Sequence, residues 1–165
     1  MSGLEDLYRE IILDHYRSPR NRGELEVPPA HRAEGFNPLC GDEIVVFLSL
    51  DDASRGDQAV VTDVRITGQG CSISQASASM MSTAVKGRTL AEVKELTAAF
   101  KAMMSIHESE LEGDADPVPD PEDLPEVDLG DLEALRGVVK FPVRIKCATL
   151  SWNTLTQGIA EAVSA

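Results

Sequence analysis

Apolar residues recur along the chain with two different periods, which separate predicted helices from predicted strands. In LEDLYREIILDHYR, from Leu4 to Arg17, they follow the spacing of one helix face. The segment from Asp42 to Leu50 is rich in strand-forming residues, and residues 60–67 alternate between apolar and polar side chains. Because a turn at residues 51–57 separates these two segments, they predict an antiparallel hairpin with one buried face.

The rest of the chain is predicted to be mostly helical. A capping box formed by Thr89 and Glu92 marks the start of one helix. The run from Pro142 to Lys146 is interpreted as an extended lead-in to the last helix. The helices predicted after the hairpin are residues 73–85, Leu90 to about Ile106, 131–136 and 148–163.

These elements predict an α+β fold, in which a small antiparallel β-sheet packs against several α-helices. The sheet consists of the hairpin, with a third strand as an option. The length of 165 residues suits a single domain, which we expect to span residues 1–165. Residues 107–130 contain four prolines and much of the acidic charge, so they are expected to form a loop inserted into this domain.

The net charge of −13 is concentrated in one segment. Between Lys101 and Arg136 there are 12 acidic residues and neither lysine nor arginine, whereas the remainder has 16 acids and 15 bases. This distribution argues against nucleic acid as a partner of the acidic face. No apolar run reaches the ~18 residues of a membrane span, and the first residues contain no apolar leader. We therefore expect a cytoplasmic protein with no membrane partner.

Three cysteines and one aspartate are candidates for metal chemistry. Cys40 lies in a turn two residues before Asp42, and Cys71 and Cys147 are each expected to precede a helix, where unsatisfied backbone N–H groups favour a thiolate. Three thiolates and one carboxylate can complete a tetrahedral zinc site. Because a carboxylate is a harder donor, this set should hold its ion less permanently than four cysteines would. Taken singly, each cysteine can equally be a small buried hydrophobe, and Asp42 a solvated residue at a strand start.

Four motifs in one order resemble those of a known family. They are LYREIILDHYRSPRNRG at residues 7–23, GFNPLCGD at 35–42, GQGCSIS at 68–74 and RIKCATLSW at 144–152. On these motifs the chain is identified as a member of the U-type iron–sulfur cluster assembly proteins, which include IscU, the N-terminal part of NifU, and SufU. Lys146 stands where IscU-like members have a histidine, and an extra segment separates the second and third cysteines. Both features resemble the SufU branch.

This resemblance implies a zinc-dependent sulfur acceptor that works with a cysteine desulfurase of the SufS type, whose pyridoxal phosphate belongs to the partner. It places zinc on the residues that match Cys40, Asp42, Cys71 and Cys147. The desulfurase is implied to take over a zinc ligand position, which frees Cys40 to accept a persulfide sulfur. Asp42 would help to hold zinc beside Cys40 until the partner docks.

Two basic residues and one histidine are weaker candidates. Arg144 and Lys146 match basic residues of the SufU motif and are assigned a supporting role, in which they steer the persulfide or a partner carboxylate. Their alternative role is that of solvated charges beside a strand. His15, near the end of the first predicted helix, is expected to pack or cap rather than to bind metal.

Two other functions remain open from the sequence. The protein can be a scaffold on which the three cysteines and Asp42 assemble a [2Fe–2S] cluster from iron, for transfer to downstream scaffolds or apo-proteins. It can also be a structural zinc domain that only binds partners. Lys146 in place of histidine favours sulfur transfer, but the ligand types alone suit both a zinc site and a cluster.

Overall fold

The computed structural model describes residues 2–27, 30–38, 41–112, 130–140 and 142–164. Its helices are α1 (Ser2–Arg17), α2 (Ser72–Val85), α3 (Leu90–Glu112) and α4 (Pro142–Ser164). Its strands are β1 (His31–Asn37), β2 (Asp42–Leu50) and β3 (Val61–Gln69), and 3₁₀ segments cover Ala53–Gln58 and Gly130–Lys140. Among the described residues, none of the helices combines the length and the hydropathy of a membrane span.

The three strands form one antiparallel sheet in the order β1-β2-β3. This confirms the predicted α+β class, the hairpin and its third strand. The third strand, β1, lies before the hairpin, in residues without an alternating apolar pattern. Its inward positions are Ala33, Gly35 and Asn37, which are small or polar and therefore give no alternating apolar pattern.

Helix α4 packs directly on β1 because small residues allow a close approach. A Cβ atom added to Gly35 would lie 2.0 Å from Thr154 Oγ1, and one added to Gly158 would lie 3.2 Å from Ala33 Cβ. Trp152, also in α4, is fully buried and stacks on Phe100 of α3. The close packing fixes α4 against the edge of the sheet, and this determines where Cys147 is placed.

His15 joins three parts of the fold in the core. Its side chain is buried, with Nδ1 2.8 Å from Ser79 Oγ on α2 and Nε2 3.0 Å from Asp131 Oδ2. These contacts confirm the packing role expected for His15. They hold α1 against α2 and against the 3₁₀ segment that begins at Gly130.

Two helix boundaries differ from the prediction. Helix α3 continues to Glu112, so residues 107–112 are helical rather than part of a loop. Helix α4 begins at Pro142, so the predicted extended lead-in is wrong. Proline is well suited to the first position of a helix, because the N–H that it lacks has no partner there. Residues 113–129 of the acidic segment lie outside the described residues, and the single domain over 1–165 stays a prediction.

The predicted capping box at the start of α3 is confirmed. Glu92 N–H donates to Thr89 Oγ1 at 3.2 Å, and the Thr89 backbone N–H donates to Glu92 Oε1 at 3.2 Å. This N–H, followed by the Thr89 hydroxyl, lowers the pKa of Glu92 from its ordinary 4.5. Because the folded-state pKa is lowered, the stabilisation is present above pH 4.5 and is lost as the pH falls through the folded value.

Replacing Thr89 with alanine is expected to lower stability by about 1 kcal/mol through loss of the cap. In a chain of this size that corresponds to a decrease in Tm of about 2–4 °C, measurable by circular dichroism. Thr89→Ser keeps the hydroxyl and is the matched control, with a Tm near that of the wild type. Equal losses in both variants would show that the hydroxyl does not cap the helix.

Candidate metal centre

Three of the predicted ligands come together from three separate elements. Asp42 begins β2, Cys71 precedes α2 directly, and Cys147 lies in α4. One ligand atom from each residue lies within 4.8 Å of the ligand atoms of the other two. Asp42 and Cys71 are 29 residues apart in the sequence, and Cys71 and Cys147 are 76 apart. The packing of α2 and α4 against the sheet brings the three side chains together.

Cys71 is the N-cap residue of α2, as the sequence predicted. Its backbone is extended, and its Sγ accepts a hydrogen bond from Ser74 N–H at 3.4 Å. The chain turns into this position at Gly68, where φ is +129° and an added Cβ would lie 2.1 Å from the carbonyl oxygen of Glu43. Only glycine fits there, which accounts for the first glycine of the Gly68-Gln69-Gly70 motif.

Cys147 does not precede its helix, and this part of the prediction is wrong. Because α4 begins at Pro142, Cys147 lies inside the helix, more than one turn from its start. Its thiol is fully buried and accepts from Asn37 Nδ2 at 3.6 Å. The thiol of Cys71 thus accepts from a backbone N–H at a helix start, whereas the thiol of Cys147 accepts from a side-chain amide.

Asp42 is fully buried, and both of its carboxylate oxygens accept hydrogen bonds. Oδ1 accepts from Cys71 N–H at 2.9 Å, and Oδ2 accepts from Asn37 Nδ2 at 3.3 Å. No lysine, arginine or histidine among the described residues forms an ion pair with it. Since a buried carboxylate is costly unless it is paired or coordinates a metal, a cation at this point would compensate its charge.

The donor set fits zinc by chemistry and by spacing. Tetrahedral zinc, with bonds of about 2.3 Å to sulfur and 2.0–2.2 Å to oxygen, places its ligand atoms about 3.5–3.8 Å apart. The three observed donors are spread over no more than 4.8 Å, so shifts of about 1 Å would bring them to this spacing. Two sulfur donors also favour zinc or an iron–sulfur centre over magnesium or calcium.

The other predicted site residues have different outcomes. Cys40 lies outside the described residues, so its membership of the site stays a prediction. Arg144 and Lys146 are exposed on the first turns of α4, whereas Ile145, between them, is buried. Lys146 therefore directs its charge away from the interior in which Cys147 lies.

Sequence reasoning missed Asn37 as a member of the site. The sequence places Asn37 in a turn with Pro38 and Gly41, before Asp42. In the structure Asn37 is the last residue of β1 and the direct cross-strand partner of Asp42. A polar residue at an inward position of a strand, opposite a candidate ligand, was the signal that could have revealed it.

A family model described as the NifU-like N-terminal domain matches residues 7–148, which include all four candidate ligands. The chain belongs to this family. It is 42% identical to the zinc-dependent sulfurtransferase SufU of Bacillus subtilis, over 97% of this chain and 94% of that protein. It is 34% identical to the iron–sulfur cluster assembly scaffold protein IscU of Streptococcus pyogenes, over 100% and 90%. The resemblance expected from the motifs is confirmed.

Comparison with solved structures leads to the same family. The crystal structure of a nitrogen-fixing NifU-like protein (N-terminal) from Brucella abortus superimposes with a TM-score of 0.68 and 26% identity. The match covers 97% of this chain and 96% of that structure. The fold of this chain is therefore that of a NifU-like N-terminal domain.

Proposed function

We propose that this NifU-like protein acts in iron–sulfur cluster assembly, as a zinc-dependent acceptor of sulfur from a cysteine desulfurase. The observation that carries the proposal is the convergence of Asp42, Cys71 and Cys147. The relative at 42% identity, a zinc-dependent sulfurtransferase, supports the same assignment. We assign one zinc ion to these three residues together with Cys40, and we assign the partner to the SufS type.

Cys40 is the proposed acceptor. It is two residues from Asp42, so the covalent chain limits the separation of their Cα atoms to about 7 Å. The Cys40 thiolate attacks the terminal sulfur of a persulfide on the desulfurase. An S–S bond to Cys40 forms as the S–S bond on the partner breaks, and the partner cysteine leaves as a thiolate. The sulfur moves without a change of oxidation state, so no further oxidant or reductant is needed.

The metal and the basic residues have supporting roles in this proposal. Zinc, when bound, keeps its cysteine ligands deprotonated. Asp42 contributes an oxygen donor that is exchanged more readily than a thiolate. Arg144 and Lys146, exposed near the start of α4, attract the anionic persulfide of the partner towards this end of the domain.

The alternative function is that of a scaffold. It is favoured by the 34% identity to an IscU scaffold protein over the full chain. In this role Cys40, Asp42, Cys71 and Cys147 would hold iron and sulfide as a [2Fe–2S] cluster for transfer to apo-proteins. The two functions differ in where sulfur first becomes bound.

Persulfide mapping separates the two functions. The protein is mixed with a cysteine desulfurase and cysteine, without iron, and its cysteines are analysed by mass spectrometry. We expect a mass increase of one sulfur atom at Cys40, and Cys40→Ala should reduce sulfur acceptance at least ~100-fold because it removes the nucleophile. A stable visible chromophore formed from iron and sulfide, with no sulfur on Cys40, would instead establish the scaffold function. Undiminished acceptance by Cys40→Ala would contradict the role of this residue.

A further inference from the structure

The side chain of Asn37 connects two of the three converging ligands. It is 6% exposed, and its Nδ2 lies 3.3 Å from Asp42 Oδ2 and 3.6 Å from Cys147 Sγ. An amide NH₂ group has two protons, so one can be donated to each acceptor. Asn37 thereby links the first residue of β2 to the buried thiol of α4.

Each of the three ligands accepts at least one hydrogen bond from the protein. The Cys71 N–H donates to Asp42 Oδ1, and the Ser74 N–H donates to Cys71 Sγ. These two donors belong to the backbone at the start of α2. The two bonds from Asn37 are made by a side chain, and they join Asp42 of β2 to Cys147 of α4.

Asn37 is also close to Cys40 in the sequence, but it holds the other ligands independently of Cys40. Asn37 and Asp42 are paired across β1 and β2, and Cys40 lies between them in the sequence. The hydrogen bonds from the Asn37 amide, together with the pairing of β1 with β2, therefore hold Asp42 and Cys147 through contacts that do not involve Cys40.

We propose that Asn37 is a positioning residue of the metal centre, whose amide keeps Asp42 and Cys147 in a ligating arrangement when Cys40 is not bound to the metal. The inference rests on the proposed function, because only a Cys40 that accepts sulfur has to leave the metal. Hydrogen-bonding partners of metal ligands typically change metal affinity about 10–100-fold. An effect of this size is expected here.

Asn37→Leu tests this role, because leucine has a similar shape but no N–H donor. Zinc affinity is measured by competition with a chromophoric chelator, in the otherwise wild-type protein and in Cys40→Ala. We expect the Kd for zinc to rise about 10–100-fold in both backgrounds. Asn153→Leu, the same change at an exposed position of α4, is the matched control and should leave the Kd unchanged.

A cobalt(II) spectrum separates positioning from general loosening of the fold. A hydrogen bond to a thiolate stabilises the sulfur lone pairs, so its loss moves the sulfur-to-cobalt charge-transfer band to longer wavelength. We expect this shift in Asn37→Leu and none in Asn153→Leu. A Kd within about threefold of the wild type, or an unmoved band, would overturn the proposal.

If Asn37→Leu does not fold, the wild-type protein still provides a test. In protein loaded with cadmium-113, a hydrogen bond from Asn37 to the Cys147 thiolate transmits scalar coupling from the metal to an Asn37 amide proton. We expect this coupling, and its absence would overturn the proposal. None of these measurements uses a desulfurase, so a failure of sulfur acceptance at Cys40 would be seen separately by persulfide mapping.

Discussion

Replacing Gly70 with alanine is expected to lower zinc affinity about 100-fold, although residue 70 has no side chain that could bind metal. A Cβ atom at this position would lie 2.5 Å from Asp42 Oδ1 and 3.1 Å from its Cγ, well inside van der Waals contact. The carboxylate would have to move away, and it would lose its hydrogen bond from Cys71 N–H. Overpacking of this kind also lowers stability, by about 1–3 kcal/mol.

A matched glycine substitution separates the effect on the metal from the effect on the fold. Gly87 has φ of +86° and open space around it, so Gly87→Ala strains the backbone without touching the site. We expect Gly87→Ala to lower the Tm and to bind zinc as tightly as the wild type. Equal zinc affinity in Gly70→Ala and Gly87→Ala, measured by chelator competition, would contradict the steric argument.

Removal of zinc is expected to lower the Tm by about 8–16 °C. Zinc at a free concentration 1,000 times its Kd stabilises the folded state by about 4.1 kcal/mol, and each kcal/mol corresponds to about 2–4 °C in a domain of this size. The stabilisation arises because the ligands connect β2, α2 and α4, which are distant in the chain. The measurement is thermal unfolding before and after chelation, with zinc removal verified by elemental analysis.

Cys71→Ser is the control for this experiment. Serine is a good N-cap residue and can replace Cys71 Sγ as the acceptor at the start of α2, but it is a poor zinc ligand. Its Tm should resemble that of the zinc-free wild type and should not respond to the chelator. An unchanged Tm of the wild-type protein after verified zinc loss would show that the metal does not stabilise this fold.

Elements with strong local signals could be predicted from the sequence. The hairpin, the capping box at Thr89 and the start of α2 next to Cys71 all depend on alternation, caps or glycine, which act over a few residues. Strand β1 and the start of α4 could not be predicted in this way. The inward face of β1 is made of Ala33, Gly35 and Asn37, which are small or polar and therefore give no alternating apolar pattern. Ala33 and Gly35 allow α4 to pack closely against the strand.

The same division applies to the metal centre. Asp42, Cys71 and Cys147 were identified by residue type and motif, and the structure brings their donors together. The surroundings of these donors depend on tertiary contacts between residues far apart in sequence. The hydrogen bond from Asn37 to Cys147 joins positions 110 residues apart. Gly70 approaches Asp42 closely although the two are also far apart in sequence. Neither contact could be predicted from a local pattern.

The coordination of zinc can be measured by X-ray absorption at the zinc K-edge of the protein as purified. With Cys40, Asp42, Cys71 and Cys147 as ligands, we predict three sulfur atoms at about 2.3 Å and one oxygen atom at about 2.0–2.2 Å. Asp42→Ala should alter the oxygen contribution and leave the sulfur shell in place. Zinc surrounded only by nitrogen and oxygen atoms, or iron in its place, would contradict the assignment.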